Sequence, residues 1–311
     1  MIVLVSGSTG LVGSAVIGEL ARAGHTIRRL VRRASESPND VLWDPVSGAI
    51  DGAALEGIDA VVHLAGDNIA EGRWNAEKKA LIRDSRVNGT SLLASTLAGL
   101  QQRPKTLVCA SAIGYYGDRG PDVMTEESTA AADFLGQVCL EWEQAAEPAR
   151  AAGIRVVHTR IGVVLSLDGG ALAKQLLPFK LCLGGVIGSG DQYISWIALD
   201  DLAAVIRFAV ENESVEGPVN AVSPDAVTNR VYTKTLGRVL SRPTLFPMPA
   251  FAARLAFGEM ADALLLSSTR VEPARLKALG YAFRHPELEA ALREIVGGGE
   301  GGERRDAKRE T

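Results

Sequence analysis

Residues 2–20 read IVLVSGSTGLVGSAVIGEL. Ile2–Val5 is a β-rich apolar run of the kind found in a strand buried on both faces. The run stops at Ser6. Gly7, Gly10 and Gly13 follow at intervals of three, and Val12, Val16 and Leu20 then recur at helical spacing beside Leu11 and Ala15. A strand that passes into a helix through glycines lets its backbone approach a bound group closely. It also leaves amide donors at the helix start, where the helix dipole favours negative charge. In such a turn Gly7 permits the tight bend, Gly10 the approach of a diphosphate and Gly13 the packing of helix on strand. Ser8, Thr9, Leu11 and Val12 supply the rest of the cradle backbone.

Further along, HTIRRLVRR (25–33) predicts a second strand, and VLWDP (41–45) a brief extended piece broken by proline. DAVVHLAG (59–66) predicts a strand closed by Gly66, and a long helix covers Glu77 to Leu100. KTLVCASA (105–112) is a strand followed by a polar, glycine-rich loop to about Ala132, then a helix over Phe134–Ala151 and the strand IRVVHTRIGVVL (154–165). Strands alternating with helices imply a parallel sheet covered on both faces, with ligands at the carboxyl ends of its strands. The fold expected is α/β, a doubly wound Rossmann-like parallel sheet with a smaller, mainly helical C-terminal substrate lobe. The expected divisions are a nucleotide-binding core over 1–165 and a mixed core and pocket segment over 166–245. A helical domain over 246–296 and a disordered tail over 297–311 complete them. Helices are expected in GGALAKQLLPFKLCLGG (169–185), in ALDDLAAVIRFAVE (198–211) with Asp200 or Asp201 as N-cap, and in short pieces at 250–257, 261–266, 274–279 and 286–295.

Composition narrows the function. A net charge of −4 argues against a broad electrostatic grip on nucleic acid. Cys109, Cys139 and Cys182 are odd in number, widely spaced and without metal or redox spacing, which fits a reducing cytoplasm. No Asp, Glu or His cluster has metal-ligand spacing. No apolar run approaches the ~18 residues of a spanning helix, so no membrane partner is expected. The N-terminus lacks the positive region of a secretory signal, and the sequons at Asn88 and Asn212 therefore carry no weight. Either a monomer or a homodimer is compatible with the chain.

The second strand selects the cofactor. Sites for NAD usually place an acid about 20 residues past the glycines, to hold the ribose 2′-hydroxyl. This chain has Arg32 and Arg33 there, and no acid until Glu36. Arginine forms charge-assisted bonds with a 2′-phosphate that an acid would repel, so NADP(H) is the expected cofactor. Leu64, Ala65 and Gly66 are small or apolar enough to back the adenosine side. His63, alone in an apolar strand, reads as a structural residue.

VSGSTGLVG, HLAG and SAIGYYG, in this order, resemble the extended and atypical short-chain dehydrogenase/reductases, the NAD(P)-dependent epimerase/dehydratase group. GRWNAEKKALIRDSRVNGT, RIGVVLSLDGGAL, LLPFKLCLGGVIGSGDQYISWIALDDL and EPARLKALGYAFRHPELEAAL narrow the resemblance to the epimerase family proteins, sometimes labelled cell-division-inhibitor-like. It covers about residues 1–296. The superfamily's chemistry uses a serine with Tyr-x-x-x-Lys on a helix, whose lysine lowers the tyrosine's pKa for proton exchange. Ser111 matches the serine. The helix, DFLGQVCLEWE (133–143), has neither tyrosine nor lysine, and Leu135 and Cys139 fall where the pair would be. The resemblance implies Ser111 as a catalytic candidate and Arg86, beside Ser85, as a cofactor contact; in the loop after Ser111 either Tyr115 or Tyr116 could act as a substitute acid, and Tyr116 is the second catalytic candidate. Val163, just past Arg160, borders the nicotinamide end. Tyr115, Gln192, Tyr193, Ser195 and Trp196 are the candidates for the substrate wall. Ala198 stands where relatives often carry histidine. Three readings follow: an NADP(H)-dependent oxidoreductase or epimerase, an NADPH-reading sensor that docks a partner, and a cell-division regulator.

Overall fold

The structure is a computed structural model that describes residues 1–33 and 37–306, the side chains of 298–306 excepted; Glu36 and residues 307–311 lie outside the described residues. The first half runs β1 (Ile2–Ser6), α1 (Leu11–Arg22), β2 (Thr26–Val31), β3 (Asp40–Asp44), β4 (Ala49–Ile50), β5 (Ala60–His63), α2 (Ala76–Gly99) and β6 (Thr106–Ala112). After the short β7 (Val123–Met124) come α3 (Phe134–Gln144), α4 (Glu147–Ala151), β8 (Arg155–Ile161), β9 (Val163–Leu165) and α5 (Gly170–Lys180). Then follow β10 (Tyr193–Ile194), β11 (Trp196–Ala198), α6 (Leu199–Glu211), β12 (Gly217–Ala221), β13 (Val227–Thr228) and α7 (Asn229–Val239). The chain closes with α8 (Ala250–Phe257), α9 (Glu259–Ala261), β14 (Arg270–Val271), α10 (Ala274–Ala278) and α11 (Leu288–Asp306).

The central sheet has the order β12-β8-β6-β5-β1-β2-β3-β4, and only β4 is antiparallel to its neighbour. Alternation along the strands divides the core into two layers. Val3, Val5, Ala60 and Val62 face α1 and α6, whereas Leu4, Val61, Leu107 and Val156 face the side of α2 and α4. The chain winds outward from β1 through β2 and β3, then from β5 through β6 and β8. The order therefore reverses between β1 and β5, whose ends are in register at Ser6 and His63. Such a reversal opens the crevice in which doubly wound sheets bind ligands.

The expected helix over 134–151 is two helices, because Pro148 has no amide to continue the ladder of α3. Neither Asp200 nor Asp201 caps α6; the N-cap is Ala198. Asp201 is buried and accepts the amides of Arg284 (2.9 Å) and His285 (2.8 Å), tying the C-terminal segment to α6. β12 and α7 were not anticipated by the sequence reading. In the lobe α5, α7 and α11 pack around Leu172, Trp196, Leu236 and Leu292. The backbone of α11 continues to Asp306, into the stretch expected to be disordered, and Ile295 is the last of its described side chains in the lobe's apolar cluster. No helix among the described residues is long and apolar enough to cross a membrane.

Candidate functional site

Gly7 adopts φ +64°, and a Cβ there would lie 2.9 Å from the carbonyl carbon of Leu64. Only glycine allows the ends of β1 and β5 to approach this closely. A Cβ on Gly13 would overlap the carbonyl oxygen of Gly7, so the start of α1 is packed directly on the turn. Gly10 differs. Its φ of −78° is ordinary, it is exposed, and the nearest atom to a Cβ would be the Gly7 carbonyl oxygen at 3.3 Å. A Cβ there would need the Gly7 carbonyl to give by only a few tenths of an ångström, so the packing demands glycine far less than at Gly7 or Gly13. No side chain caps α1, which leaves the first-turn amides of Leu11, Val12 and Gly13 directed at the crevice mouth. Ser8 is buried and Thr9 exposed on the same turn.

Ser6, which the sequence reading passed over, organises the opposite wall. Its Oγ accepts the amides of Leu64 (3.0 Å) and Ala65 (3.3 Å) and lies 2.7 Å from His63 Nδ1. The serine proton therefore goes to Nδ1, and the ring carries its own proton on Nε2, where no hydrogen-bond partner is present among the described residues. The imidazole stands edge-on to Trp43, with ring centroids 5.8 Å apart. Burial pulls its pKa down to about 4, so it stays neutral.

Just past β2, Arg32 and Arg33 are exposed and make no hydrogen bond or ion pair with a described residue. Their neighbours are committed: Arg28 donates to Ala54 O, and Arg29 forks onto Asp40 with two bonds of 2.7 Å. Arg86 lies against Gly66, 3.4 Å from the place of a Cβ. It donates to Ile82 O (2.9 Å) and Asp67 O (3.0 Å) and stacks over Trp142, so it braces the loop after β5. Burial lowers its pKa from the usual guanidinium value. Ser85 Oγ accepts the Asp67 amide in the same loop.

At the end of β6, Ser111 is buried and donates its proton to Glu143 Oε1 at 2.7 Å. Glu143 in turn receives Arg160 Nε and Nη2, both at 2.9 Å. Burial opposes the charge of Arg160, but the bonds and charge of Glu143 prevail and raise its pKa further. The guanidinium stacks 3.5 Å from the centroid of Tyr115 and donates to Tyr116 Oη at 2.9 Å. Tyr116 donates to Asn220 Oδ1 at 2.6 Å. A polar chain thus links β6, α3, β8 and β12. Glu143 and Asn220 went unrecognised in the sequence. The available signal for Glu143 was its place at i+4 from Cys139 and i+8 from Leu135, on one helical face.

Several expected contacts are placed elsewhere. Tyr116 has no exposed surface, and burial pushes its phenol up to about 12, the opposite of what proton exchange needs. Gln192 spends its amide on Ile187 O and Leu265 O. Ser195 donates to Thr269 O and accepts the Val271 amide. Trp196 is fully buried, with its indole N–H on Asp225 O. These four hold the lobe to the core in place of lining a pocket. Tyr115 and Tyr193 remain half-buried, the latter under the Arg270 guanidinium. Gly162 interrupts the strand beside Ser195, and Val163 is half-buried where β9 pairs with β11. Leu135 and Cys139 do sit below the Ser111 loop, 3.3 and 3.9 Å from the place of a Cβ on Gly114. Leu135 belongs to an apolar cluster with Trp74, Met260 and Leu264, and burial pushes the Cys139 thiol up to about 12. Among the described residues no group of His, Cys, Asp or Glu could hold a metal.

The comparisons with known proteins agree with this architecture. The profile of the NAD dependent epimerase/dehydratase family matches residues 3–222, and that of a domain of unknown function matches residues 248–295. The epimerase family protein MT2273 of Mycobacterium tuberculosis is 43% identical over 291 residues, 94% of this chain and 96% of that protein. The crystal structure of human epimerase family protein SDR39U1 with NADPH superposes with a TM-score of 0.88 at 36% identity, covering 96% of this chain and 99% of that one. A nucleoside-diphosphate sugar epimerase from Corynebacterium glutamicum gives 0.79 at 38%, covering 96% of this chain and 58% of that one. On these grounds, together with the glycine turn and the doubly wound sheet that carries it, the chain belongs to the NAD-dependent epimerase/dehydratase family.

Proposed function

We propose that this chain binds NADP(H) and acts on a small molecule as an epimerase- or oxidoreductase-type member of its family, in a reducing, cytoplasmic setting. Gly10 carries the reading: it is an exposed glycine with ordinary backbone angles, and the Gly7 carbonyl oxygen is the only neighbour among the described residues that a Cβ there would meet, so its missing side chain has a further use when a ligand must pass close by. The amides of Leu11, Val12 and Gly13 bind the diphosphate, Gly7 and Ser8 shape the turn, and Leu64–Gly66 back the adenosine. Arg32, supported by Arg33, pairs with the 2′-phosphate. The NADPH in the human relative's crystal structure supports this choice. Bound NADP(H) supplies hydride exchange. At its reactive end Ser111 has given its proton to Glu143, so its free lone pair accepts a hydrogen bond from a ligand O–H or N–H and does not polarise a carbonyl.

The test is a titration of nicotinamide fluorescence with the wild type and Gly10→Val. Loss of binding with at most a small fall in melting temperature is expected, since the Gly7 carbonyl needs to shift by only a few tenths of an ångström. Undiminished binding by the variant would overturn the reading. A second reading is favoured by the apolar cluster at Leu135 and the buried tyrosine: a protein that reads NADPH without turning it over. NADPH binding without oxidation across carbonyl compounds and sugar nucleotides supports that alternative; turnover lost in Ser111→Ala supports the enzyme.

A further inference from the structure

The lobe carries a face that the nucleotide site does not use. Leu181, Leu183, Leu245, Phe246, Phe251 and Leu255 are 59–76% exposed. The fold sets the segments of the first four side by side, and Phe251 and Leu255 follow shortly after Phe246 on α8. Arg242 Nε donates to Lys180 O at 3.1 Å, the backbone of Gly185 lies directly against Phe246 O, and Phe251 and Leu255 share one side of α8. Exposed apolar side chains scattered singly need no explanation, but a contiguous group does.

The two segments that carry it are basic, with Asp191, Glu259 and Asp262 just beyond their ends. Residues 169–190 and 226–258 contain no Asp or Glu, yet hold Lys174, Lys180, Arg230, Lys234, Arg238, Arg242 and Arg254, in a chain whose net charge is −4. Arg230, Arg238 and Arg254 pair with Asp191, Glu289 and Asp262. Lys174, Lys180, Lys234 and Arg242 make no ion pair with a described residue; Lys234 bonds to Thr244, Arg242 to backbone carbonyls, and Lys174 to Ala70 O. Four of the seven cations on these segments thus lack a counter-charge among the described residues.

We propose that this face docks the protein on an anionic lipid bilayer, with the leucines and phenylalanines entering the headgroup boundary and the four cations meeting lipid phosphates. Three observations favour a bilayer over other occupants. The side chains protrude, whereas a small ligand or a partner helix is received in a concave site. A second copy docked through the same patch would set cations against cations. Apolar protrusions beside unpaired lysine and arginine suit an interfacial protein, and the absence of a spanning helix has no bearing on such a face.

Cosedimentation of the full chain with vesicles tests the proposal, using phosphatidylcholine alone and phosphatidylcholine mixed with phosphatidylglycerol. Binding to the mixed vesicles that weakens with salt is expected, with little binding to the neutral ones. Each cation near an anionic surface contributes about fivefold, so Lys180→Glu with Arg242→Glu should lose roughly 25-fold or more. Phe246→Ser with Phe251→Ser should bind weakly at any salt. The charge-reversed pair lies on the surface and keeps the test independent of folding in the apolar variant. The proposal is overturned if wild type ignores anionic vesicles, if it binds both vesicles equally, or if the charge-reversed protein binds like wild type. Saturable binding of a monomeric short-chain phosphatidylglycerol without vesicle binding overturns it too, as does a dimer in velocity sedimentation that Phe246→Ser dissociates.

Discussion

Replacing Glu143 with glutamine keeps the shape of the side chain and removes its charge. Arg160 is 3% exposed and Glu143 12%, so the guanidinium would be left charged, away from water and without a counter-ion. The amide can still accept one of the two N–H groups that now reach the carboxylate, but its NH2 would face the other. Breaking a buried pair by removing one partner costs 3–5 kcal/mol in general, and the retained bond puts this case near the lower limit, about 3 kcal/mol. For a chain of this length that corresponds to a fall in melting temperature of about 5 °C. Urea unfolding and thermal melting measure it directly. Glu143→Leu with Arg160→Met should be less destabilised than the sum of its single variants, because neither leaves a charge behind. A loss below ~1 kcal/mol in Glu143→Gln, the scale of a surface pair, would refute the claim that this pair anchors the ends of β6, α3 and β8.

Tyr116→Phe leaves Arg160 Nη1 and Asn220 Oδ1 each short of a partner, and should cost about 1–3 kcal/mol in urea unfolding while NADPH affinity stays unchanged. Lost affinity at full stability would return the tyrosine to the site. His63 and His158 are both buried, with pKa values lowered by that burial from 6.5 to about 4. Between those limits the unfolded chain binds protons that the folded chain does not, so stability is complete above pH 6.5 and declines as pH falls towards 4. Each histidine accounts for up to about 3 kcal/mol of that decline, to be read from unfolding midpoints along an acid series. A flat profile would contradict their neutral burial. Gly13→Ala should destabilise the protein and weaken nucleotide binding together, since its methyl would displace the Gly7 carbonyl; a melting temperature equal to wild type would count against that packing.

The elements closest to the glycine turn were legible because local rules determine them. An apolar run, three glycines and a helical repeat specify β1, the turn and α1 wherever the rest of the chain goes. What escaped was non-local. β12 contains Pro218 and looks like a loop, yet it lies at the sheet edge, where a missing amide is tolerated. Helix α7 shows a polar sequence in which Tyr232 and Leu236 are the large apolar residues buried. Asp201 reads as a helix cap, but its partners are amides more than eighty positions away. Gln192, Ser195 and Trp196 have the composition of a pocket wall, and only the packing of β14 and the Asp225 turn against them reveals their structural use. Ser111 was found by its place at a strand end. That its proton is already given to Glu143 depends on a helix turn 32 residues later, which no local pattern encodes.

The central claim is that the turn after β1 holds a dinucleotide whose extra phosphate is paired with Arg32. Calorimetric titration of wild type and Arg32→Ala with NADPH and with NADH tests it most directly. A charge-assisted bond of ~1.5–3 kcal/mol implies that the variant loses roughly tenfold or more in NADPH affinity while NADH affinity is unchanged. Saturation by neither nucleotide, or equal losses for both, would contradict the claim.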